Sequence, residues 1–262
     1  MRYLKLAVAL CCLAFPREVI AGAWTLPEDK TQTISTFTYS RASRSYDASS
    51  NPTIPIRYTK LLTQTDIEYG VRDWFTLIVD PEYAKAQSSP PGGPIEVANA
   101  FAIGAGARVR LAQYHGIFSV EGSYKSAGAF DTSVSVNQES ARQFEIRALY
   151  GTNFKILDMD AFADFELGQR FIAGARPSET PVDITLGLHI TPQTMILAQS
   201  FNVIANGDSK PPYTYYRSHK IQLSIVQHLY EDLSVQIGGF VSPAGQSTLK
   251  EQVLSFALWD SL

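Results

Sequence analysis

The sequence predicts an all-β protein: a single antiparallel transmembrane β-barrel of about 12 strands, with short periplasmic turns and longer extracellular loops. Three observations predict it. The chain opens on an export leader, strict period-two alternation of apolar and polar residues recurs along its length, and the connections between these runs sort by parity into short and long.

Met1 to Ala23 reads as a secretory signal. Arg2 and Lys5 form its positive start, Leu6 to Phe15 its apolar run, and Val19-Ile20-Ala21 and Ala21-Gly22-Ala23 are both small-residue cleavage sites. The expected organisation is therefore a signal peptide, 1–23, followed by one barrel domain, 24–262. The apolar run is about ten residues and is closed by Pro16-Arg17-Glu18, too short to cross roughly 30 Å of hydrocarbon. A lipid anchor is disfavoured because the residues before the two cysteines, Leu10 and Cys11, are bulky. Both cysteines, Cys11 and Cys12, lie inside the leader, so the exported chain has neither a disulfide nor a thiolate metal site.

The leader carries a net charge of +2 from Arg2, Lys5, Arg17 and Glu18, so its removal takes the formal charge from −3 to −5. An acidic chain lacks the basic footprint that phosphate contacts require, which excludes nucleic acid as a partner. The longest later apolar run, Val97 to Ala107, is interrupted by Asn99 and falls far short of the roughly twenty residues of a membrane helix. Nothing in composition marks a domain boundary.

The first strand-like run, Lys30 to Arg44, sets Ile34 and Thr36 opposite Phe37 and Tyr39. The second and third form the hairpin Thr59 to Tyr83. Leu61, Ile67, Tyr69, Leu77 and Val79 share one face and Lys60, Asp66, Glu68 and Asp80 the other, around a turn at Gly70 to Asp73. Ser88 to Pro94 reads as an exposed loop. The fourth run opposes Phe101, Ile103, Ala105, Val109 and Leu111 to Gly104, Gly106, Arg108 and Arg110. The fifth opposes Phe118, Val120 and Tyr124 to Glu121 and Lys125, before a polar loop at Asp131 to Gln138. The sixth and seventh alternate most cleanly: Phe144, Ile146 and Tyr150 against Glu145 and Arg147, then Phe165 and Leu167 against Asp164, Glu166 and Arg170. Arg176 to Pro181 reads as a loop. The eighth run, from Val182, opposes Ile184, Leu186 and Ile190 to Asp183, Thr185 and His189. The ninth, Met195 to Ala205, has an open register and ends in the loop Asn206 to Pro212. The tenth and eleventh carry Ile221, Leu223, Ile225, Val235 and Ile237 on their apolar faces, and the twelfth ends the chain with Leu254, Phe256 and Leu258.

Connections after even-numbered runs are short, at Arg72-Asp73, Tyr114 to Gly116, Leu157-Asp158, Pro192-Gln193 and Glu231-Asp232. Those after odd-numbered runs are mostly longer and rich in Pro, Gly and Ser. A soluble sandwich has no reason to sort its loops this way, whereas a bacterial outer-membrane barrel does. Aromatics agree. Tyr69, Trp74, Tyr114, Tyr150, Phe154, Tyr230 and Trp259 lie near the short turns, and Tyr83, Tyr124, Phe130, Tyr213, Tyr215 and Tyr216 near the long loops, as two interfacial girdles require.

In such a barrel the polar faces point inward, so the lumen-lining candidates are Asp66, Glu68, Arg108, Arg110, Glu121, Glu145, Arg147, Asp164, Glu166 and Arg170. Two readings follow: opposed charges on neighbouring strands pair and plug the interior, or they line a narrow wet path. No catalytic motif stands out. Ser218 and His219 are strand neighbours and point to opposite faces, so they cannot act as nucleophile and base. His115, His189, His219 and His228 lack metal-ligand spacing, Asn206-Gly207-Asp208 is turn chemistry, and Gly104-Ala105-Gly106 lacks the third glycine and helix of a nucleotide loop. The chain reads as a non-enzyme with no metal and no cofactor.

The hairpin segment Glu68-Tyr69-Gly70-Val71-Arg72-Asp73-Trp74-Phe75-Thr76-Leu77 resembles the strand-turn-strand element of an outer-membrane family associated with the meta-cleavage pathway of phenol degradation. Gly22-Ala23-Trp24-Thr25-Leu26-Pro27 is similar to the mature start of some members of such barrel families. The resemblance implies an outer-membrane, transport-like protein and carries over no catalytic residue. One departure is the C-terminus, where such barrels often end in an aromatic and this chain ends in Leu262. The expected partners are outer-membrane lipid and a small-molecule solute, hydrophobic or aromatic ones included, passing a narrow pore. The alternative is a structural or adhesive barrel with a plugged lumen.

Overall fold

A computed structural model of the chain describes residues 22–89, 91–126, 141–206 and 214–262. Twelve antiparallel strands close into one barrel: β1 (Thr31–Ser45), β2 (Ile54–Arg72), β3 (Phe75–Ser89), β4 (Glu96–Gln113), β5 (Ile117–Lys125), β6 (Gln143–Ile156), β7 (Met159–Ile172), β8 (Ser178–Thr191), β9 (Thr194–Asn206), β10 (Arg217–Tyr230), β11 (Leu233–Gln246) and β12 (Leu249–Ser261). Each strand pairs with its sequence neighbours, and β1 closes on β12 from Gln32 opposite Ser261 to Ser45 opposite Leu249. Closure leaves no unpaired edge, the condition for backbone polar groups to tolerate hydrocarbon.

The period-two pattern sets which way each residue points. Phe37, Leu61, Phe101, Ile146, Phe165, Leu186, Leu223, Ile237 and Leu254 all face outward and are exposed, Leu254 by 71%. An apolar exterior around a polar interior inverts a soluble protein and belongs in a membrane.

At the periplasmic end the hairpins turn on two or three residues. Leu157 and Asp158 both take positive φ, 50° and 66°, the conformation that matches a two-residue turn to strand twist. Tyr69, Trp74, Tyr114, Tyr150, Phe154 and Tyr230 ring this rim and are exposed. Trp259 is a correction, being only 5% exposed and turned into the lumen. Its neighbours Leu254, Phe256 and Leu258 face lipid, so parity alone puts an odd-numbered residue of β12 inside. At the other rim Tyr83, Tyr124 and Tyr215 face outward, but Tyr216 is buried against Glu179. Phe130, Tyr213 and the polar stretch Asp131 to Gln138 lie outside the described residues.

The expected loop at Arg176 to Pro181 is shorter than the sequence suggested, since β8 starts at Ser178. Pro181 has no N–H to give β7, and pairing skips from Val182 opposite Leu167 to Glu179 opposite Arg170, which hides the strand's beginning. One extracellular connection, between β11 and β12, is only Ser247 and Thr248 long and departs from the parity rule. The loop after β1 is self-capped: Asp47 accepts from the backbone N–H groups of Ser49 (2.8 Å) and Asn51 (2.9 Å), and the Asn51 bond foremost holds its carboxyl below the usual range.

Because Leu223 sits mid-strand on the lipid face, Leu223→Arg is expected to cost about 2–4 kcal/mol in urea unfolding from lipid vesicles. A loss under about 1 kcal/mol, the value typical of interfacial positions, would place β10 elsewhere.

Candidate functional site: the occupied lumen

The inward positions of β2 to β8 build a ladder of ion pairs. Arg108 on β4 holds Glu68 through both guanidinium nitrogens, at 2.9 and 3.1 Å, and bonds Glu121 at 2.8 Å. Arg147 on β6 bonds Glu166 (2.6 Å) and Asp183 (2.7 Å) on the next two strands, and Glu145 on its own. Arg170 on β7 bridges Glu145 at 2.5 Å and Glu179 at 2.6 Å. Lys125 lies 3.0 Å from both Asp80 and Glu82, and Lys220 lies 2.9 Å from Glu251. Forked arginines suit this setting, since each reaches two carboxylates across a strand of separation.

Of the residues singled out from sequence, Glu68, Arg108 and Glu121 form one cluster, and Glu145, Arg147, Glu166 and Arg170 another. Asp66 faces the lumen beside them and receives a bond from Gln64 at 3.1 Å. Asp164 is turned toward the N-terminal segment. Arg110 stands apart on the inward side near the periplasmic turn, its backbone N–H bonded to the Trp74 carbonyl. Asp183 and Lys125 join the ladder from faces whose alternation is already polar in the sequence, and Glu179 joins it from a stretch whose Arg176 to Pro181 composition reads as a loop.

The segment before β1, residues 22–28, enters the barrel from the periplasmic end and is bonded at nearly every step. Glu28 N–H donates to Asp73 Oδ1 (3.0 Å), Leu26 N–H to Thr76 Oγ1 (2.9 Å), and the Thr25 hydroxyl to the Asp73 carbonyl (2.6 Å). Arg108 donates to the Trp24 carbonyl at 2.9 Å, Ser119 to the Ala23 carbonyl at 2.5 Å, and Ala23 N–H to Asp164 Oδ1 at 2.8 Å. The Trp24 ring meets Phe162 edge-on at 5.7 Å and lies where a side chain on Gly151 would be. It joins Ile34 against an apolar cluster of Phe162, Met195, Leu197, Val226, Ala257 and Trp259, whose indole donates to Gln236 at 3.1 Å. Burying these rings offsets the cost of ordering the segment.

Two adjoining cavities of about 440 and 520 Å³ remain in the lumen, sharing Gly22, Ile34, Gln64, Asp66, Arg147 and Glu166 in their walls. The smaller is lined mostly by charges. The larger sets Phe162, Leu197, Phe201 and Trp259 against the amides of Gln199, Gln222 and Gln236. On the outer face toward the extracellular rim, His219 bonds Asn202 at 2.8 Å and Asn202 donates to Ser200 at 3.1 Å, forming a polar patch outside the lumen.

The sequence matches no protein-family model and no curated protein. The fold is similar to that of the COG4313 outer membrane channel from Pseudomonas putida F1, with a TM-score of 0.70 and 11% identity over 93% of this chain and 99% of that one. The fold is that of bacterial outer-membrane barrels. The translocator domain of the autotransporter NalP from Neisseria meningitidis (TM-score 0.55, 10% identity, 94% and 90% coverage) shares it. So does the β domain of the Bordetella autotransporter BrkA (0.54, 12%, 89% and 99%).

Arg108→Met would strand Glu68 and Glu121 in a mostly buried site, at an expected loss of about 3–5 kcal/mol in urea unfolding. Adding Glu68→Gln and Glu121→Gln is expected to restore most of it, and no restoration would show that the arginine acts through packing. Gly151→Val is expected to expel the Trp24 ring, seen as a red shift of tryptophan emission with heat-modifiable mobility retained.

Proposed function

We propose that this chain is an outer-membrane barrel channel whose lumen passes small solutes along a constricted, charge-lined path, without catalysing a reaction on them. The observation that carries the reading is the pair of adjoining cavities inside the wall, one charged and one with an apolar side facing amides. That second lining suits a small ring compound bearing polar groups, which can lay its face on Phe162 and Phe201 while Gln199 and Gln222 meet its substituents. The barrel it resembles from Pseudomonas putida F1 is described as a channel, which supports the same reading.

Residues 22–28 narrow the periplasmic end, so their deletion is expected to raise single-channel conductance in planar bilayers several-fold over the wild type. A folded deletion variant with unchanged conductance would show that the path, if one exists, avoids this segment. A barrel that passes no current with or without it would favour the structural reading, which the paired ladder of charges also fits. Asp66 lines both cavities and meets no arginine in a direct ion pair among the described residues, so Asp66→Lys is expected to shift ion selectivity toward anions. Unchanged selectivity in a conducting variant would remove Asp66 from the path.

A further inference from the structure

The depth at which the N-terminal segment stops sets what must stand at its end. Ala23 is fully buried, with both its backbone N–H and its carbonyl hydrogen-bonded to inward side chains of β7 and β5. Gly22 is buried one residue deeper and forms part of the wall of both cavities. Its α-carbon lies against the Asp164 carboxyl so closely that an added Cβ would fall 2.4 Å from Cγ, an approach that only glycine allows. A chain beginning at Gly22 places one compact cation, its α-ammonium, inside the barrel wall.

The surrounding charge calls for that cation. Arg147 serves Glu145, Glu166 and Asp183, while Arg108 serves Glu68 and Glu121. Among the described residues no Lys or Arg makes an ion pair with Asp164, which is 3% exposed, accepts the Ala23 N–H and has the carboxyl of Glu166, itself held by Arg147, within hydrogen-bond reach. Two buried acids side by side are costly as anions unless a positive charge stands beside them or they share a proton.

We propose that the leader is removed between Ala21 and Gly22, and that the α-ammonium so created docks against Asp164 inside the lumen, fastening the segment that narrows the barrel. The step is a hydrolysis by an export peptidase. Water adds across the Ala21–Gly22 bond, its oxygen leaving on the Ala21 carboxylate and its hydrogen on the Gly22 amine, which takes a further proton near neutral pH. Val19 and Ala21 stand three and one residues before that bond and meet the small-residue requirement of such enzymes. Cleavage after Ala23 would instead remove the residue whose N–H and carbonyl hold the segment to Asp164 and Ser119. The assignment goes beyond the channel reading and stands whether or not the lumen conducts.

Intact mass and N-terminal sequencing of the protein purified from outer membranes are expected to give Gly22 as first residue. A chain starting at Trp24, or one retaining its leader, would overturn the proposal. The folded protein is then treated at neutral pH with a small N-terminus-selective aldehyde, alongside the same protein unfolded in urea. Labelling at least tenfold slower when folded is expected, and equal rates would overturn the docking. Asp164→Asn, with its fold checked by heat-modifiable mobility, is expected to raise the folded-state rate several-fold, and an unchanged rate would remove Asp164 as the partner. If that variant fails to fold, the wild-type comparison alone decides whether the amine is docked.

Discussion

A closed wall that faces lipid leaves its charged side chains one destination, and in the lumen each carboxylate must meet a cation, a donor or water. The rest of this structure follows from that constraint. Arginines dominate the interior of β4 to β7 because a planar fork can hold two carboxylates from different strands, as Arg108 and Arg170 do. Lysine appears where the acids are close neighbours on one face, as Asp80 and Glu82 are for Lys125. The pairs add little stability beyond what an apolar filling would give, but losing one member strands the other. They therefore fix which residues face each other, and with them the shape of the remaining space.

The same constraint divides the lumen. Apart from the Lys220–Glu251 pair between β10 and β12, the charges collect on β2 to β8, while β9, β11 and β12 contribute Met195, Leu197, Gln236, Ala257 and Trp259. The N-terminal segment crosses between the two sectors, its backbone bonded to the charged side through Arg108, Ser119 and Asp164 and its Trp24 ring packed on the apolar side. A segment matched on both sides behaves as part of the wall. What remains empty lies beside it, and a solute in that space would meet charge on one side and rings on the other.

Much of the architecture was legible because barrel strands have a period that sequence displays directly. Alternation in the hairpin Thr59 to Tyr83 separates Leu61 and Tyr69, exposed on the outer face, from Asp66 and Glu68 on the other, and the short turns fix which rim is which. Errors arose where a residue's direction was inferred from type in place of parity. Trp259 and Tyr216 were assigned to girdles as aromatics, though the alternation on β12 already turned Trp259 inward. Pro181 concealed the start of β8 and with it Glu179. Pairing was only half legible: alternation reveals which charges share the lumen, but the choice of partner depends on register and on the reach of each arginine. The seating of residues 22–28 left no periodic signal at all, because an irregular segment is held by single bonds to residues about fifty to a hundred and forty positions away.

The chain's own N-terminal segment, residues 22–28, occupies the lumen from the periplasmic end. Nuclear Overhauser spectroscopy on the labelled protein in detergent micelles tests it most directly. Occupation predicts cross-peaks between the Trp24 indole protons and the Gly151 α-protons, with residues 22–28 as slowly relaxing as the strands. Absence of those cross-peaks, with sharp, rapidly tumbling resonances for 22–28, would contradict it.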